Sequence, residues 1–445
     1  MKKYFHSVRL DSPKCRGCVT CIRLCPMEAI RVRRGKAQIT ESWCIDCGEC
    51  IRGCNQNAKF VLSNNLADLA AYKHNIALPA PSLYAQFDLK IRIEKILAGL
   101  ICLGFDDVFE VAAGAEIVSL LTRDHLANTK DAPRPVISTA CPAVFRLIQM
   151  KFPELIENLS PVGTPVETAA RIARAQAAAK LGLDPAEIGT WFLTPCPAKV
   201  TSIFAPQALT SSNVSGAIAI NKIYGQLRKT ILELPPGQSK ETQASWQGFG
   251  WCIGGGESIA VGLENTLVVN GIHNAIDALE QISLGKLKKL DHVEVLACPG
   301  GCTGGALLPE NRHVASYRLQ QRILAKQKET CADIMRQNIP PEAFLPDEKR
   351  TSIKAKPILP LDQDRYKALQ KLEAVASTVR DLPGLDCGAC GSPSCKSLAE
   401  DIVQGQAFAT DCIFILRKKV GQLAQDMINL SSKVPPPLDI EENNT

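Results

Sequence analysis

Three short apolar runs punctuate the middle of the chain, and each leads to a cysteine. Pro135-Val136-Ile137-Ser138-Thr139 runs to Cys141, Trp191-Phe192-Leu193 to Cys196, and Val293-Glu294-Val295-Leu296 to Cys298. The runs are short, β-branched or aromatic, and closed by proline, which suits buried parallel strands better than helices. Helical patterns lie between them. Pro165 to Lys180 is alanine-rich, with Thr164 as N-cap and Pro165 at the first helical position, and His273 to Leu284 is closed by Gly285. This alternation predicts an α/β module with mostly parallel sheets flanked by helices. Sites in such sheets form beyond the carboxyl ends of strands, where Cys141, Cys196 and Cys298 fall. Further on, Arg365 to Arg380 and Ile413 to Leu430 predict helices. Leu416, Val420, Leu423 and Met427 give the second an apolar stripe expected to pack as core. Residues 336–364 are rich in proline and charge and predict a linker, and residues 433–445 a disordered tail.

Composition sharpens this. The 445 residues are 46% hydrophobic and 22% charged, which excludes a disordered chain and allows several domains. No apolar run reaches the length of about 18 residues that a spanning helix needs, and the first residues lack a secretory signal, so a cytoplasmic protein with no membrane partner is expected. Nineteen cysteines in a reducing compartment predict metal or redox chemistry rather than disulfides. They are clustered. Eight lie between Cys15 and Cys54, four between Cys387 and Cys412, and seven across the middle.

The first group reads Cys15-x2-Cys18-x2-Cys21-x3-Cys25-Pro26, then Cys44-x2-Cys47-x2-Cys50-x3-Cys54. Tight spacing lets three soft thiolates fold over one face of an iron–sulfur cube, with the fourth supplied from elsewhere. The doubled run resembles the bacterial two-cluster ferredoxin pattern, which implies an α+β ferredoxin-like domain over residues 1–62 with two 4Fe–4S clusters. By that resemblance Cys15, Cys18, Cys21 and Cys54 hold one cluster, and Cys44, Cys47, Cys50 and Cys25 the other. The second run has Asn55 where the first has Pro26. Zinc is the alternative occupant of such pairs.

A fourth middle cysteine, Cys302, lies in Cys298-Pro299-Gly300-Gly301-Cys302-Thr303-Gly304-Gly305, whose glycines allow close backbone approach to a bulky ligand. Four convergent thiolates suggest another cubane. Here the chain resembles the iron-only (FeFe) hydrogenase catalytic domain over roughly residues 76 to 320. Ser138-Thr139-Ala140-Cys141-Pro142 stands for the family's Thr-Ser-Cys-Cys-Pro. Thr194-Pro195-Cys196-Pro197-Ala198-Lys199-Val200-Thr201-Ser202 stands for Met-Pro-Cys-x2-Lys-x2-Glu. Glu294 to Gly305 stands for Glu-Val-Met-x-Cys-x3-Cys-x2-Gly-Gly. The resemblance implies a domain over residues 76–335 that binds an H-cluster, a 4Fe–4S cubane plus a di-iron subsite with CO, cyanide and a bridging dithiolate amine. Cys141, Cys196, Cys298 and Cys302 would ligate the cubane, with Cys302 bridging to the subsite. Lys199 would donate to a cyanide, and Ala80-Pro81-Ser82 resembles the segment beside the proximal iron.

The departures from the family pattern matter. The proton-passing cysteine of the first signature is Ala140, the glutamate of the second is Ser202, and the methionines lining the subsite are Thr194 and Leu296. A general acid beside the reacting atom is worth about 10²–10⁴-fold, so slow turnover is expected. The combination is similar to the sensory branch of the family. The resemblance implies a hydrogenase that slowly interconverts H₂ with protons and electrons. Its partners would be a ferredoxin or other electron carrier, hydrogenase maturation proteins and, for a sensor, a separate signalling protein. The alternatives are non-catalytic: an Fe–S assembly scaffold with a lone cubane, or an electron-relay subunit. Cys102, Cys252 and Cys331 match no signature, and Gly254-Gly255-Gly256 before Glu257 suggests close packing rather than phosphate binding.

The third group, Cys387-x2-Cys390-x4-Cys395-x16-Cys412, again fits one 4Fe–4S cube, in a small helical domain over residues 365–432. It is similar to the single-cluster domain of Rnf-type electron-transport subunits, with zinc as the alternative. Pairing of two copies into a homodimer through its helices stays open. The formal charge of +6 might suggest nucleic acid, but a 4Fe–4S core with four thiolates carries about −2. Four such cubes bring the total to about −2, so the basic excess compensates clusters and no nucleic-acid partner is expected.

Overall fold

The β-branched and aromatic runs form strands, and all the cysteine-bearing ones are parallel. The computed structural model describes residues 5–129, 133–329, 349–356, 361–362 and 364–433. Cys331, most of the expected linker and residues 434–445 of the expected tail lie outside the described residues. In chain order the strands are β1 (Val8–Leu10), β2 (Ile30–Arg33), β3 (Lys36–Ile39), β4 (Lys59–Val61), β5 (His74–Pro79) and β6 (Asp107–Val108). They continue with β7 (Val136–Ile137), β8 (Ile188–Thr194), β9 (Gly216–Ala219), β10 (Thr266–Asn270) and β11 (His292–Leu296).

Contacts divide the chain into two compact units. One comprises Met1–Asp11 and Glu41–Ile358, the other Ser12–Thr40 and Leu359–Thr445. The two ferredoxin-like runs therefore fall in different units.

In the first unit, β1 and β4 pair antiparallel. A four-stranded parallel sheet has the order β6-β5-β8-β9, and a three-stranded parallel sheet the order β10-β11-β7. The three cysteine-bearing strands are thus shared between two sheets, β8 in one and β7 with β11 in the other. Every residue of β8 is buried, and its side chains alternate between two cores. Trp191 and Leu193 pack with Leu83, Leu97 and Phe249, while Ile188 and Phe192 pack with Leu78, Val166 and Ala169. Burial of each such side chain stabilises the sheet by about 1.5–3 kcal/mol. The helix predicted from Pro165 spans Pro165–Leu181, with Thr164 at the N-cap position but making no side-chain cap bond. That predicted from His273 spans Ile272–Ser283. Part of the expected linker is pinned to this unit: Thr210 N donates to Lys349 O, Thr351 N to Ala208 O, and Lys356 N to Gln149 O.

The second unit pairs β2 with β3 antiparallel and adds the helices Thr20–Arg23, Arg365–Asp381, Cys395–Val403 and Ile413–Ser431. Its core includes Val375, Leu382, Leu398 and Ala399. The expectation that the last helix buries its stripe fails. Leu416, Val420, Leu423 and Met427 are exposed, because the helix packs on this core only through its first turn, at Ile415.

Candidate catalytic metal centre

Four thiols converge where the parallel strands end. The chain leaves β7 through Cys141 into the helix Pro142–Lys151, and leaves β8 through Cys196 into the helix Pro197–Phe204. Each of these cysteines is the N-cap, followed by proline, so a thiolate there lies at the positive end of a helix. β11 ends before Cys298, and Cys302 opens a short 3₁₀ turn, Cys302–Gly304. Gly301 makes the return possible. Its φ is +87°, and a Cβ there would stand 2.7 Å from the Cys252 carbonyl oxygen.

All four sulfur-bearing residues line one small cavity, with Pro195, Lys199 and Leu296. Burial pushes the thiols of Cys141 and Cys196 up, and Cys298 is pushed up to about 12 by burial, opposed by Arg52. Thiols so placed shed their protons only when a cation replaces them. This donor set fits an iron–sulfur cube, since soft thiolates select Fe–S and zinc.

Lys199 lies one turn beyond Cys196, with Nζ 3.7 Å from Cys302 Sγ and 6.0 Å from the Phe192 ring centroid. Burial alone would lower its pKa. The surrounding thiols, Cys302 foremost, outweigh burial and hold it above the ordinary lysine value. Beyond Cys302 opens a second cavity of about 420 Å³, lined by Pro81, Ser82, Ala140, Lys199, Ser202 and Leu296, among others. Ser82 is fully buried, and its Oγ has no hydrogen-bond partner among the described residues. An orphaned hydroxyl, a charged lysine and a bridging-capable thiol on one cavity wall fit a di-iron subsite carrying hydrogen-bond acceptors.

The departures have structural consequences. Ala140 presents only a methyl group to this cavity, and its N–H donates to Ser138 Oγ at 3.2 Å. Ser202 Oγ donates to Lys199 O at 2.9 Å, within its own helix. Thr194 does not line either cavity. Its hydroxyl turns back on Cys196, accepting from the N–H at 3.2 Å and donating to the carbonyl at 3.3 Å.

Sequence reasoning missed a carboxylate pair. Glu257 lines the large cavity, accepts from Ser138 Oγ at 2.6 Å and lies 3.4 Å from His292 Nε2. Behind it, Glu294 of β11 accepts from Gly255 N, Ser258 N and Ser258 Oγ. Burial and the charge of Glu257 raise Glu294 to about 7. An acid flanked by two valines inside a buried strand was the available signal. Gly254 and Gly256 serve close packing, as expected, against Asn270 and the Gly250 carbonyl.

The second ferredoxin-like run belongs to the same unit. Cys47 borders the small cavity. Arg52, between Cys50 and Cys54, donates to Cys298 Sγ at 3.6 Å and Gly304 O at 3.1 Å, and pairs with Glu49 at 2.5 Å. The fully buried Asp46, between Cys44 and Cys47, accepts from Thr201 Oγ1 at 2.9 Å and lies 2.8 Å from His6 Nδ1. Thus the loop holding Cys44 and Cys47 is bolted to the helix that carries Lys199.

In the second unit, Cys15 and Cys21 are buried, Cys25 half-buried and Cys18 exposed. Cys387, Cys390, Cys395 and Cys412 line one cavity of their own, a four-thiol set that also fits a cube. Of the unassigned cysteines, Cys102 is exposed, and Cys252 is buried and borders the large cavity.

Comparison with known proteins places these motifs. The family model for the iron-only hydrogenase large subunit, C-terminal domain, matches residues 73–256 and 255–306, more than half of the chain. A 4Fe–4S dicluster model matches residues 7–55, and an Fe–S cluster model residues 382–414. Iron hydrogenase 1 of Clostridium pasteurianum is 23% identical over 292 residues, covering 54% of this chain and 51% of that protein. The match therefore spans about half the length of that relative. The large subunit of the periplasmic [Fe] hydrogenase of Nitratidesulfovibrio vulgaris is 24% identical over 370 residues, covering 68% of this chain and 86% of that protein. An apo [FeFe]-hydrogenase from Chlamydomonas reinhardtii shares the fold at a TM-score of 0.51 and 18% identity, covering 66% of this chain and 98% of that one. Among the described residues no helix is long and apolar enough to cross a membrane.

Proposed function

Because this chain belongs to the iron-only hydrogenase large-subunit family, we propose that it is a slow, sensory-type hydrogenase interconverting H₂ with two protons and two electrons. The observation that supports this most is the joint lining of one cavity by Cys302, Lys199 and Ser82, with Ala140 where the family carries a proton-passing thiol. An H-cluster bound there supplies the site at which H₂ is split or formed.

The chain's own residues hold, orient and shield. Cys141, Cys196, Cys298 and Cys302 hold the cubane. Lys199 and the Ser82 hydroxyl present donors to the neighbouring subsite, and buried Pro81 keeps water from it. Proton movement cannot use Ala140, which has no titratable atom, and Ser202 Oγ is turned onto its own helix. Glu257 is a carboxylate on the cavity wall, with Ser138 and His292 beside it, and burial and the charge of Glu257 hold Glu294 behind it above the usual carboxylate range. A group poised near the working pH both takes and gives a proton. We assign proton exchange to this pair. Electrons enter through the second ferredoxin-like run, where Cys47 and Arg52 adjoin the four convergent thiols.

A low-potential electron carrier and the hydrogenase maturation proteins are the partners this reading implies, with a separate signalling protein if the output is sensory. A cytoplasmic location goes with it. The test is hydrogen turnover of the matured full chain with a one-electron viologen dye. Slow turnover in both directions is expected, about 10²–10⁴-fold below an enzyme with an intact proton-passing thiol. Complete absence of turnover in protein with full iron content would contradict the proposal.

A further inference from the structure

The C-terminal cluster loop is bound, within its own unit, to the segment that bears the first ferredoxin-like thiols. Asp401, on the helix Cys395–Val403 and only 5% exposed, accepts from Arg31 Nε at 2.7 Å, Arg33 Nη2 at 2.6 Å and Ser392 Oγ at 2.9 Å. Arg33 also donates to Ser392 Oγ at 2.9 Å and to the Cys390 carbonyl at 3.3 Å. Two guanidinium groups on one buried carboxylate define a geometry rather than a loose tether, since each donor is directional. Glu28 accepts from Ser394 Oγ and Ser397 Oγ on the other side of the loop.

The backbones also meet. Val32 N donates to Gly391 O at 2.7 Å, and Gly391 has φ +80°. A Cβ at Gly391 would stand 2.1 Å from the Val32 carbonyl oxygen, so only glycine admits this approach. Gly388, between Cys387 and Cys390, faces Ile22, the neighbour of Cys21, with its Cβ position 3.4 Å from Ile22 Cδ1. The loop of the C-terminal cysteine set is therefore hydrogen-bonded to β2 and lies close to the helix that bears Cys21.

We propose that the cube held by Cys387, Cys390, Cys395 and Cys412 exchanges single electrons directly with the cube whose ligands include Cys15, Cys18 and Cys21. The C-terminal domain is then an added station of the relay at its ferredoxin end. In each exchange one cube is oxidised by one electron as the other is reduced by one. No proton moves and no ligand bond breaks. The inference rests on both cysteine sets holding iron–sulfur cubes and is independent of the di-iron subsite.

Electron paramagnetic resonance on the full chain, loaded with iron and sulfide, never exposed to maturation proteins and reduced with dithionite, tests it. The C-terminal signal is identified as the component lost in Cys395→Ala. In the unaltered chain it should be split and fast-relaxing through the neighbouring spin. Removing that neighbour with Cys15→Ala and Cys18→Ala should leave it unsplit and slow-relaxing. Asp401→Asn combined with Arg33→Gln keeps every cysteine and should weaken the splitting with iron content unchanged, which covers loss of folding in the ligand variants. A C-terminal signal that is unsplit in the unaltered chain would overturn the proposal. So would zinc in place of iron in the C-terminal set, and metal analysis of the same sample tells these two failures apart. Neither outcome bears on hydrogen turnover, which requires the di-iron subsite.

Discussion

Cys47 lines the small cavity of the four convergent thiols, and Arg52 donates to Cys298 Sγ and Gly304 O beside it. The larger cavity beyond Cys302 is lined by Ala140 and Ser202, neither of them an acid or a thiol, and by the carboxylate of Glu257, with Glu294 behind it. The proposed electron side keeps its cysteine runs intact, while the proposed proton side carries Ala140 and Ser202 where the resemblance implies a thiol and a carboxylate. The difference follows from what each side must do. Cluster ligation asks for a soft ligand at each of a few set positions around a cube, which leaves little freedom in where the cysteines stand. Proton exchange asks only for a titratable group of suitable pKa within reach, which a different element can supply.

The sharpest way to break this contrast is Glu257→Gln, which keeps the shape and removes the acid. Hydrogen turnover should fall about 10²-fold or more while iron content and cofactor spectra persist. An unchanged rate would remove Glu257 from the proton side. The complementary change is Ala140→Cys, which restores a thiol to the cavity wall. It should raise turnover, by about tenfold or more if proton delivery limits the rate, and it should partly rescue Glu257→Gln. The electron side should respond differently. Arg52→Gln removes a charge-assisted donor from a cubane sulfur, an interaction worth up to about 1.5–3 kcal/mol. A potentiometric titration should find the cubane harder to reduce, with its iron retained, and a potential equal to that of the unaltered chain would show that the Arg52–Cys298 contact is not felt.

Legibility in the sequence varied with the range of the contact. Local spacing brings Cys387, Cys390 and Cys395 onto one turn-rich loop, whereas Cys141, Cys196 and Cys298 meet in one cavity only through the strands that carry them. Strand identity was readable at β8 and β11, where every position is buried and Glu294 is the one acid in either strand. That acid stood out, but its partnership with Glu257 arises from tertiary convergence of β11 with the turn at Gly255, which no local pattern encodes. Thr194 was expected on the subsite wall and instead closes its own turn, because a hydroxyl finds backbone partners that a thioether would not. The grouping of Ser12–Thr40 with the C-terminal domain was hidden for a similar reason. Spacing names ligands, whereas ion pairs such as Arg31 and Arg33 with Asp401 decide which loops pack together.

On the proposed reading a di-iron subsite occupies the larger cavity beyond Cys302, next to a cubane in the small cavity of the four thiols. Infrared spectroscopy of the matured chain tests it most directly, since metal-bound CO and cyanide absorb where protein does not. The account predicts those bands in the unaltered chain and their loss in Cys302→Ala. Their absence from fully matured protein, or their survival in Cys302→Ala, would contradict it and leave an iron–sulfur protein of the hydrogenase family without the hydrogen-activating group.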